Sequence, residues 1–152
     1  MNFAWLFCAL VFQFFTTEPP SDIETIYPSL NGKWKGVLTQ QEGGYKKQYE
    51  FYVEIKLDGD RVIGRSQVEV DELFAKMKIK GRILNSQSLE FSEIQILDME
   101  KEPGMNWCFK HCILELERIG DSWRLKGEWS GFSEYGSCTP GQIFLRKLRP
   151  RA

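Results

Sequence analysis

The chain has 152 residues, enough for one domain. Charged residues make up 27% of it and hydrophobic residues 42%, which is the composition of a folded globular protein and excludes wholesale disorder. Lys and Arg number 20 against 21 Asp and Glu, a formal net charge of −1. This balance argues against a nucleic-acid-binding domain, so no nucleic acid is expected as a partner.

The residue types favour β-structure. Phe, Trp and Tyr together reach 14%, and the chain contains 13 glycines. Aromatic side chains suit the half-buried surface of a sheet, and glycines mark turns. Apolar residues do not recur with the 3.6-residue helical period over any useful length. The expected fold class is therefore all-β.

The N-terminus predicts export. Residues 1–17 carry no charged side chain, and between Phe3 and Phe15 only Gln13 is polar. This run is too short for a membrane-spanning helix of about 20 residues, but it fits the apolar region of a signal peptide, about 7–15 residues long. We therefore assign 1–17 as a signal peptide and expect a secreted or periplasmic protein with no stable membrane span after signal removal. An uncleaved anchor and a buried first strand are the alternatives.

Residues 18–30 are interpreted as a linker or N-terminal arm, because Pro19, Pro20 and Pro28 favour extended backbone. The first hairpin follows. Apolar and polar residues alternate over 49–57, and Asp58-Gly59 is predicted as its two-residue turn. That turn pairs Ile55 with Val62 and Phe51 with Ser66, placing the apolar side chains on one face.

The second hairpin is predicted to turn at 85–87, after the alternating segment 77–83. Beyond the turn the apolar phase shifts to Ile94 and Ile96. Such a shift is typical of a β-bulge, which we place near Ser92 and Glu93.

The third hairpin runs from Trp107 to Ile119, turns at Gly120-Asp121 and returns over 122–132. This register places Cys112 opposite Trp129. With a first strand at 32–40 and a closing strand at 142–149, the chain has eight consecutive antiparallel strands. Such strands suit an up-and-down barrel over 31–149, which leaves no free edge; a β-sandwich is the alternative.

The segment Gly32-Lys33-Trp34 on the first strand resembles the G-x-W motif of the lipocalin and wider calycin superfamily. The resemblance implies a lipocalin-like barrel in which Trp34 packs across the closed end, covered by Arg146 or Arg149 from the last strand. Some secreted bacterial protease inhibitors are similar small eight-stranded barrels that act through an N-terminal arm, a part that residues 18–30 are placed to take.

The barrel interior is predicted to be either filled or hollow. The same choice applies to four glycines on central strands, which either allow close strand contact or leave room for an apolar molecule: Gly36, Gly64, Gly81 and Gly127. The candidate ligand-lining residues are Trp34, Phe51, Gly64, Gly127 and Trp129.

One disulfide is predicted. Cys8 would leave with the signal peptide, and Cys108 and Cys112 lie on one strand about 13 Å apart, beyond the Cα separation of about 7 Å that a disulfide allows. Cys138 is therefore one partner, and the third hairpin places Cys108 nearer to it. We predict a Cys108–Cys138 bridge and a buried free thiol at Cys112; three free thiols in a cytosolic protein is the alternative.

No catalytic or metal site is predicted. His111 is the sole histidine and is expected on the outer face of its strand, and the cysteines lack the C-x-x-C spacing of zinc sites. No cofactor is implied and an enzyme is not expected. The predicted function is a secreted or periplasmic non-enzymatic binding module for a small apolar ligand. The alternative is a protein-interaction or inhibitor domain acting through its loops and N-terminal arm.

Overall fold

The computed structural model describes residues 29–150. Of these, 71% lie in strands and 2% in helix. The strands, in chain order, are β1 (Gly32–Thr39), β2 (Gln48–Asp58), β3 (Arg61–Val70), β4 (Leu73–Asn85), β5 (Ser88–Glu100), β6 (Phe109–Ile119), β7 (Ser122–Ser133), β8 (Gly136–Ser137) and β9 (Gly141–Lys147).

Eight of these strands close into an antiparallel barrel. From β1 to β7, each strand pairs with the next one along the chain, and β9 pairs with both β7 and β1 to complete the circle. The two-residue strand β8 pairs with β7 as a small addition at the rim. This architecture confirms the predicted all-β, up-and-down, eight-stranded barrel.

The two ends of the barrel differ. Two-residue turns and the start of β1 form one end, which we call the closed end; its turns are Gly59-Asp60, Ser86-Gln87 and Gly120-Asp121. Longer loops gather at the other end, which we call the mouth: 40–47, 101–108 and 134–140. Because strand direction alternates around the barrel, successive connections fall at alternate ends, and the short Asp71-Glu72 turn between β3 and β4 also lies at the mouth.

The first hairpin turns one residue later than predicted. Gly59 and Asp60 form its turn, so Ile55 pairs with Gly64 and the predicted pairing with Val62 is wrong. Gly59 has a φ of +62° at the first turn position, where a type II′ turn uses glycine. The pairing moves by two residues, so the apolar side chains still face inward.

The third hairpin has the predicted register, with Cys112 opposite Trp129.

In the second hairpin the predicted bulge is present, slightly further along β5. Lys78 pairs with Gln95 while Ile79 pairs with Glu93, which leaves Ile94 as the extra residue. Ile94 is 45% exposed, so the expectation that it continues the apolar face is wrong. The strand keeps its alternation up to the bulge, and Glu93 therefore faces inward.

At the closed end Trp34 is buried beneath Leu30, whose carbonyl oxygen accepts a hydrogen bond from the indole N–H at 3.0 Å. Its cationic neighbour is Lys147, with the ammonium 5.8 Å from the ring centroid. The expectation of Arg146 or Arg149 in this position is wrong. Arg146 pairs with Lys35 and is exposed, since it lies on the outward parity of β9. Arg149 lies beyond the end of β9 and is exposed as well.

The interior is occupied by side chains. The largest fully buried ones include Trp34, Phe51, Phe91, Leu30, Met77 and Ile79. At each of the four central glycines an added Cβ would lie 1.8–1.9 Å from a carbonyl oxygen of the neighbouring strand. These glycines therefore mark close strand contact. Together these observations favour the filled interior over the hollow one.

The predicted signal peptide, 1–17, and most of the predicted linker lie outside the described residues. Across 29–150, no helix is long and apolar enough to cross a membrane.

Candidate functional site

A disulfide joins two of the loops at the mouth. Cys108 and Cys138 are bonded, with an S–S distance of 2.01 Å and a Cα–Cα distance of 6.3 Å. Cys112 is a buried free thiol. Both predictions about the cysteines are thereby confirmed. The bridge fixes the loop 101–108 against the loop 134–140, and so holds two walls of the mouth at a set separation.

Between these loops lies a pocket of about 250 Å³, which we call the mouth pocket. Its walls carry three largely buried aromatic side chains, Tyr49, Trp107 and Trp129, and two exposed ones, Tyr45 and Tyr135. The indole N–H of Trp129 donates to the carbonyl of Thr39 at 2.8 Å, and that of Trp107 to the carbonyl of Glu100 at 3.2 Å. Both rings are thus held by their polar edges.

A hydrogen-bond chain fixes the third buried ring. The Tyr49 hydroxyl donates to Gln40 Oε1 at 2.5 Å and accepts from the backbone N–H of Lys46 at 3.0 Å. Gln40 in turn donates to the carbonyl of Thr139 at 3.1 Å. Burial raises the pKa of Tyr49, against a smaller opposing effect of the Lys46 N–H. The ring therefore remains a neutral phenol at physiological pH and keeps this geometry.

The floor of the mouth pocket contains a buried ion pair. Lys110 lines the pocket yet is only 3% exposed, and its ammonium lies 2.9 Å from Glu93 Oε2. The Glu93 carboxylate also accepts from Ser66 Oγ at 2.5 Å and from the Lys110 backbone N–H at 3.0 Å. Burying such charges is tolerable only with partners of this kind.

The ion pair also explains how the barrel wall is completed. Pairing between β5 and β6 ends at Ser92 and His111. One residue beyond, the Glu93 carboxylate accepts the Lys110 N–H in place of a backbone carbonyl. The Glu93 side chain therefore bridges the two strands where they separate, directly beneath the mouth pocket.

The structure divides the predicted ligand-lining residues between two places. Trp129 lies in the wall of the mouth pocket. Trp34 and Phe51 are buried in the filled interior, and Gly64 and Gly127 lie where strands approach closely. Of the predicted residues, Trp129 therefore shares the mouth pocket with Lys110, and the buried ring of Phe51 lies 5.8 Å from the Lys110 ammonium outside the pocket wall.

The sequence reasoning missed Lys110 and Glu93, although a signal was present. Lys110 shares the parity of Cys112 and Leu114, and Glu93 that of Phe91. In a half-buried strand that parity faces the core. A cation and an anion on inward positions of neighbouring strands predict a buried pair.

His111 lies on the outer face of β6, as predicted. Its Nδ1 is 2.8 Å from Ser92 Oγ and its Nε2 is 3.6 Å from Glu90, whose second oxygen accepts from Arg82 Nε at 2.7 Å. This chain of contacts crosses three strands on a partly exposed surface. Exposed contacts of this kind contribute little to stability. They lie on the outer face of the barrel wall, whereas Lys110 and Glu93 lie on its inner face.

A larger groove of about 620 Å³ lies at the closed end, between the Ser86-Gln87 turn and Trp123. It is lined mainly by exposed polar and charged groups, and its one aromatic ring is covered by Arg118 at 5.6 Å. The mouth pocket is smaller but offers buried aromatic faces and a buried ion pair. We therefore take it as the candidate site.

Comparison of this chain with protein-family models, with curated proteins and with solved structures found no match.

Proposed function

We propose that the protein is an exported, non-enzymatic binding module with a lipocalin-like barrel, which holds a small, largely apolar ligand in the mouth pocket. The observation that carries this proposal is the set of three buried aromatic rings around a pocket of about 250 Å³. Binding sites for small molecules are typically concave, aromatic-lined and preformed, with a few placed polar groups. The barrel interior below is filled, so the ligand site lies at the mouth.

Export is supported by two independent features. The Cys108–Cys138 bridge suits an oxidising compartment, and the apolar run within 1–17 suits a signal peptide. Sequencing the N-terminus of exported protein checks this part. A start near Thr17 or Glu18 supports export through a cleaved signal, and retention of Met1 contradicts it.

The binding proposal is tested by filling the mouth pocket. Ser137 lines it and is exposed, so Ser137→Phe places a ring in the ligand space without altering the core. Asp121→Phe, in a turn at the closed end, is the matched control. Saturation-transfer NMR with a set of small aromatic compounds measures binding. We expect signals with the native protein and with Asp121→Phe, and loss of the signals with Ser137→Phe; equal signals from all three proteins contradict the proposal.

A second candidate, a protein-interaction or inhibitor domain, is favoured by exposed aromatic rings near the mouth. Phe132 is 64% exposed and Tyr135 is 73% exposed, and Phe132 stacks on Phe109 with centroids 6.0 Å apart. Exposed apolar groups of this kind occur at protein interfaces. Inhibition assays against a panel of secreted proteases test this function. It predicts inhibition by the native chain and weaker inhibition by Phe132→Ser, and no inhibition at all argues against it.

A further inference from the structure

We propose that the mouth pocket takes a small, planar, uncharged aromatic molecule whose carbonyl oxygen accepts a hydrogen bond from the Lys110 ammonium. This inference rests on the proposed function and specifies its ligand class. It is carried by the position of Lys110 at the floor of the pocket and by the charge balance that Glu93 imposes there.

The Lys110 ammonium has more N–H groups than the described part of the chain supplies with oxygen acceptors. An ammonium carries three N–H groups. Among the described residues, two oxygen atoms lie within hydrogen-bond distance of Nζ: Glu93 Oε2 at 2.9 Å and the Cys108 carbonyl at 3.2 Å. The face of Phe51 lies beyond, with its centroid 5.8 Å away. The third N–H thus has no oxygen acceptor among the described residues and only the cation–π contact with Phe51, which is weaker than a hydrogen bond to an ammonium. We assign this N–H to an acceptor that enters from the pocket.

The charge at the floor selects a neutral acceptor. Lys110 and Glu93 together carry no net charge, and both side chains are almost fully buried. A ligand carboxylate would add an unpaired negative charge close to the Glu93 carboxylate, and burying an unpaired charge is unfavourable. A carbonyl oxygen accepts the same hydrogen bond without that cost.

The walls select a planar ring. Tyr49, Trp107 and Trp129 use their polar edges in hydrogen bonds to the protein, so they present mainly ring surface to the pocket. Aromatic rings pair well in offset or edge-to-face arrangements. The volume of about 250 Å³ lies just below the range of about 300–1,000 Å³ typical of drug-sized ligands, so the ligand is a small one.

Three probes of similar size separate these requirements. Acetophenone has the ring and a neutral carbonyl, ethylbenzene has the ring alone, and benzoate has the ring and a negative charge. NMR titration of the native chain, following the indole N–H signals of Trp107 and Trp129, gives the three affinities. We expect acetophenone to bind at least about tenfold more tightly than ethylbenzene, since a hydrogen bond to a charged donor is worth at least that factor. It should also bind more tightly than benzoate, because the carboxylate brings an unpaired negative charge to the buried floor.

Two variants connect the preference to the ion pair. Lys110→Met combined with Glu93→Gln removes both charges together, and it should abolish the preference for acetophenone over ethylbenzene. Glu93→Gln alone leaves the ammonium without its counter-charge, and it should shift the preference toward benzoate. Lys101→Met, at an exposed lysine of the mouth loop 101–108, is the control and should keep the native ranking.

The outcomes distinguish this inference from the function on which it rests. If none of the three probes binds, both fail. If the probes bind but ethylbenzene matches acetophenone, or benzoate binds most tightly to the native chain, the mouth pocket is a binding site and the inferred ligand class is wrong. The ranking in the native chain decides this even where a variant does not fold.

Discussion

The ion pair between Lys110 and Glu93 is costly to break and much less costly to replace. Each charge is removed from water, and each depends on the other for compensation. Removing one partner of such a pair typically costs about 3–5 kcal/mol, while replacing both with neutral groups is often close to neutral. Lys110 therefore acts as a structural residue and as the proposed donor to the ligand.

The coupling of the two charges predicts the stabilities of two variants. Lys110→Met should lower the free energy of unfolding by about 3–5 kcal/mol, because Glu93 becomes an unpaired buried charge. The double variant, Lys110→Met with Glu93→Gln, should recover most of that loss. Guanidinium unfolding at pH 7 measures both. Equal losses in the single and double variants would show that the two side chains are not coupled.

A second residue-scale prediction concerns Cys112. Burial raises the pKa of its thiol well above the ordinary value, and the nearby negative charge of Glu93 acts in the same direction. The thiolate is the reactive form, so a raised pKa means that the folded protein keeps this thiol protonated and inert at pH 9. Treatment with iodoacetamide at pH 9 should label Cys112 in denaturant and leave it unlabelled in the native state; rapid native labelling contradicts the burial described for it.

At the scale of the elements, the disulfide is the clearest case in which register was predictable. The Gly120-Asp121 turn fixes β6 against β7, and that register alone places Cys108 beside the loop that carries Cys138. The bridge closes a loop with a sequence separation of 30 residues. For a loop of that size, the chain-entropy model gives about 3–4 kcal/mol.

Cys108→Ser and Cys138→Ser should therefore lower the free energy of unfolding by similar amounts, each up to about 3–4 kcal/mol. Cys112→Ser is the matched control, because it changes a thiol without opening the bridge, and its loss should be smaller. Denaturant unfolding under non-reducing conditions provides the comparison. A Cys112→Ser loss as large as the other two would contradict the assigned pairing.

Strand contact in the barrel predicts the effect of a small substitution in β7. A Cβ added at Gly127 would lie 1.9 Å from the carbonyl oxygen of Ile113, so the strands would have to separate. Overpacking of this kind costs about 1–3 kcal/mol. Gly127→Ala should lower the thermal unfolding midpoint clearly, whereas Ser130→Ala, on the exposed face of the same strand, should change it little. An unchanged midpoint for Gly127→Ala would indicate that there is free space beside this glycine.

The second hairpin shows where prediction from the sequence ends. The shift in the apolar pattern of β5 correctly indicated a bulge, yet the pattern assumed that every inward residue is apolar. Glu93 faces inward because Lys110 and Ser66 compensate it, and these partners come from other strands. An apolar pattern that ignores this inward pair puts Ile94 on the wrong face, although the parity of Glu93 and Lys110 carries the signal for it. The same limit applies to Lys147, whose contact with Trp34 depends on how β9 pairs with β1.

For the whole molecule, strand number, order and closure followed from period-two patterning and short turns, because each antiparallel strand pairs with its sequence neighbour. The site did not follow in the same way. It is assembled from three loops at the mouth and from residues of several strands. The β6–β7 hairpin places Trp129 near Lys110, with Trp107 just before β6, and closure of the barrel adds Tyr49 from β2. Because the interior is filled, we place the proposed ligand site at the mouth and not inside the barrel.

The most direct test of the account is to locate a bound ligand. Isotope-filtered NMR records proton contacts between acetophenone and the protein, and the indole rings serve as reporters because they are spread over the molecule. The mouth pocket contains Trp107 and Trp129, the closed end contains Trp34, and the groove at that end contains Trp123. We expect contacts to Trp107 and Trp129 alone among these four. Contacts confined to Trp34 or Trp123 would contradict this expectation.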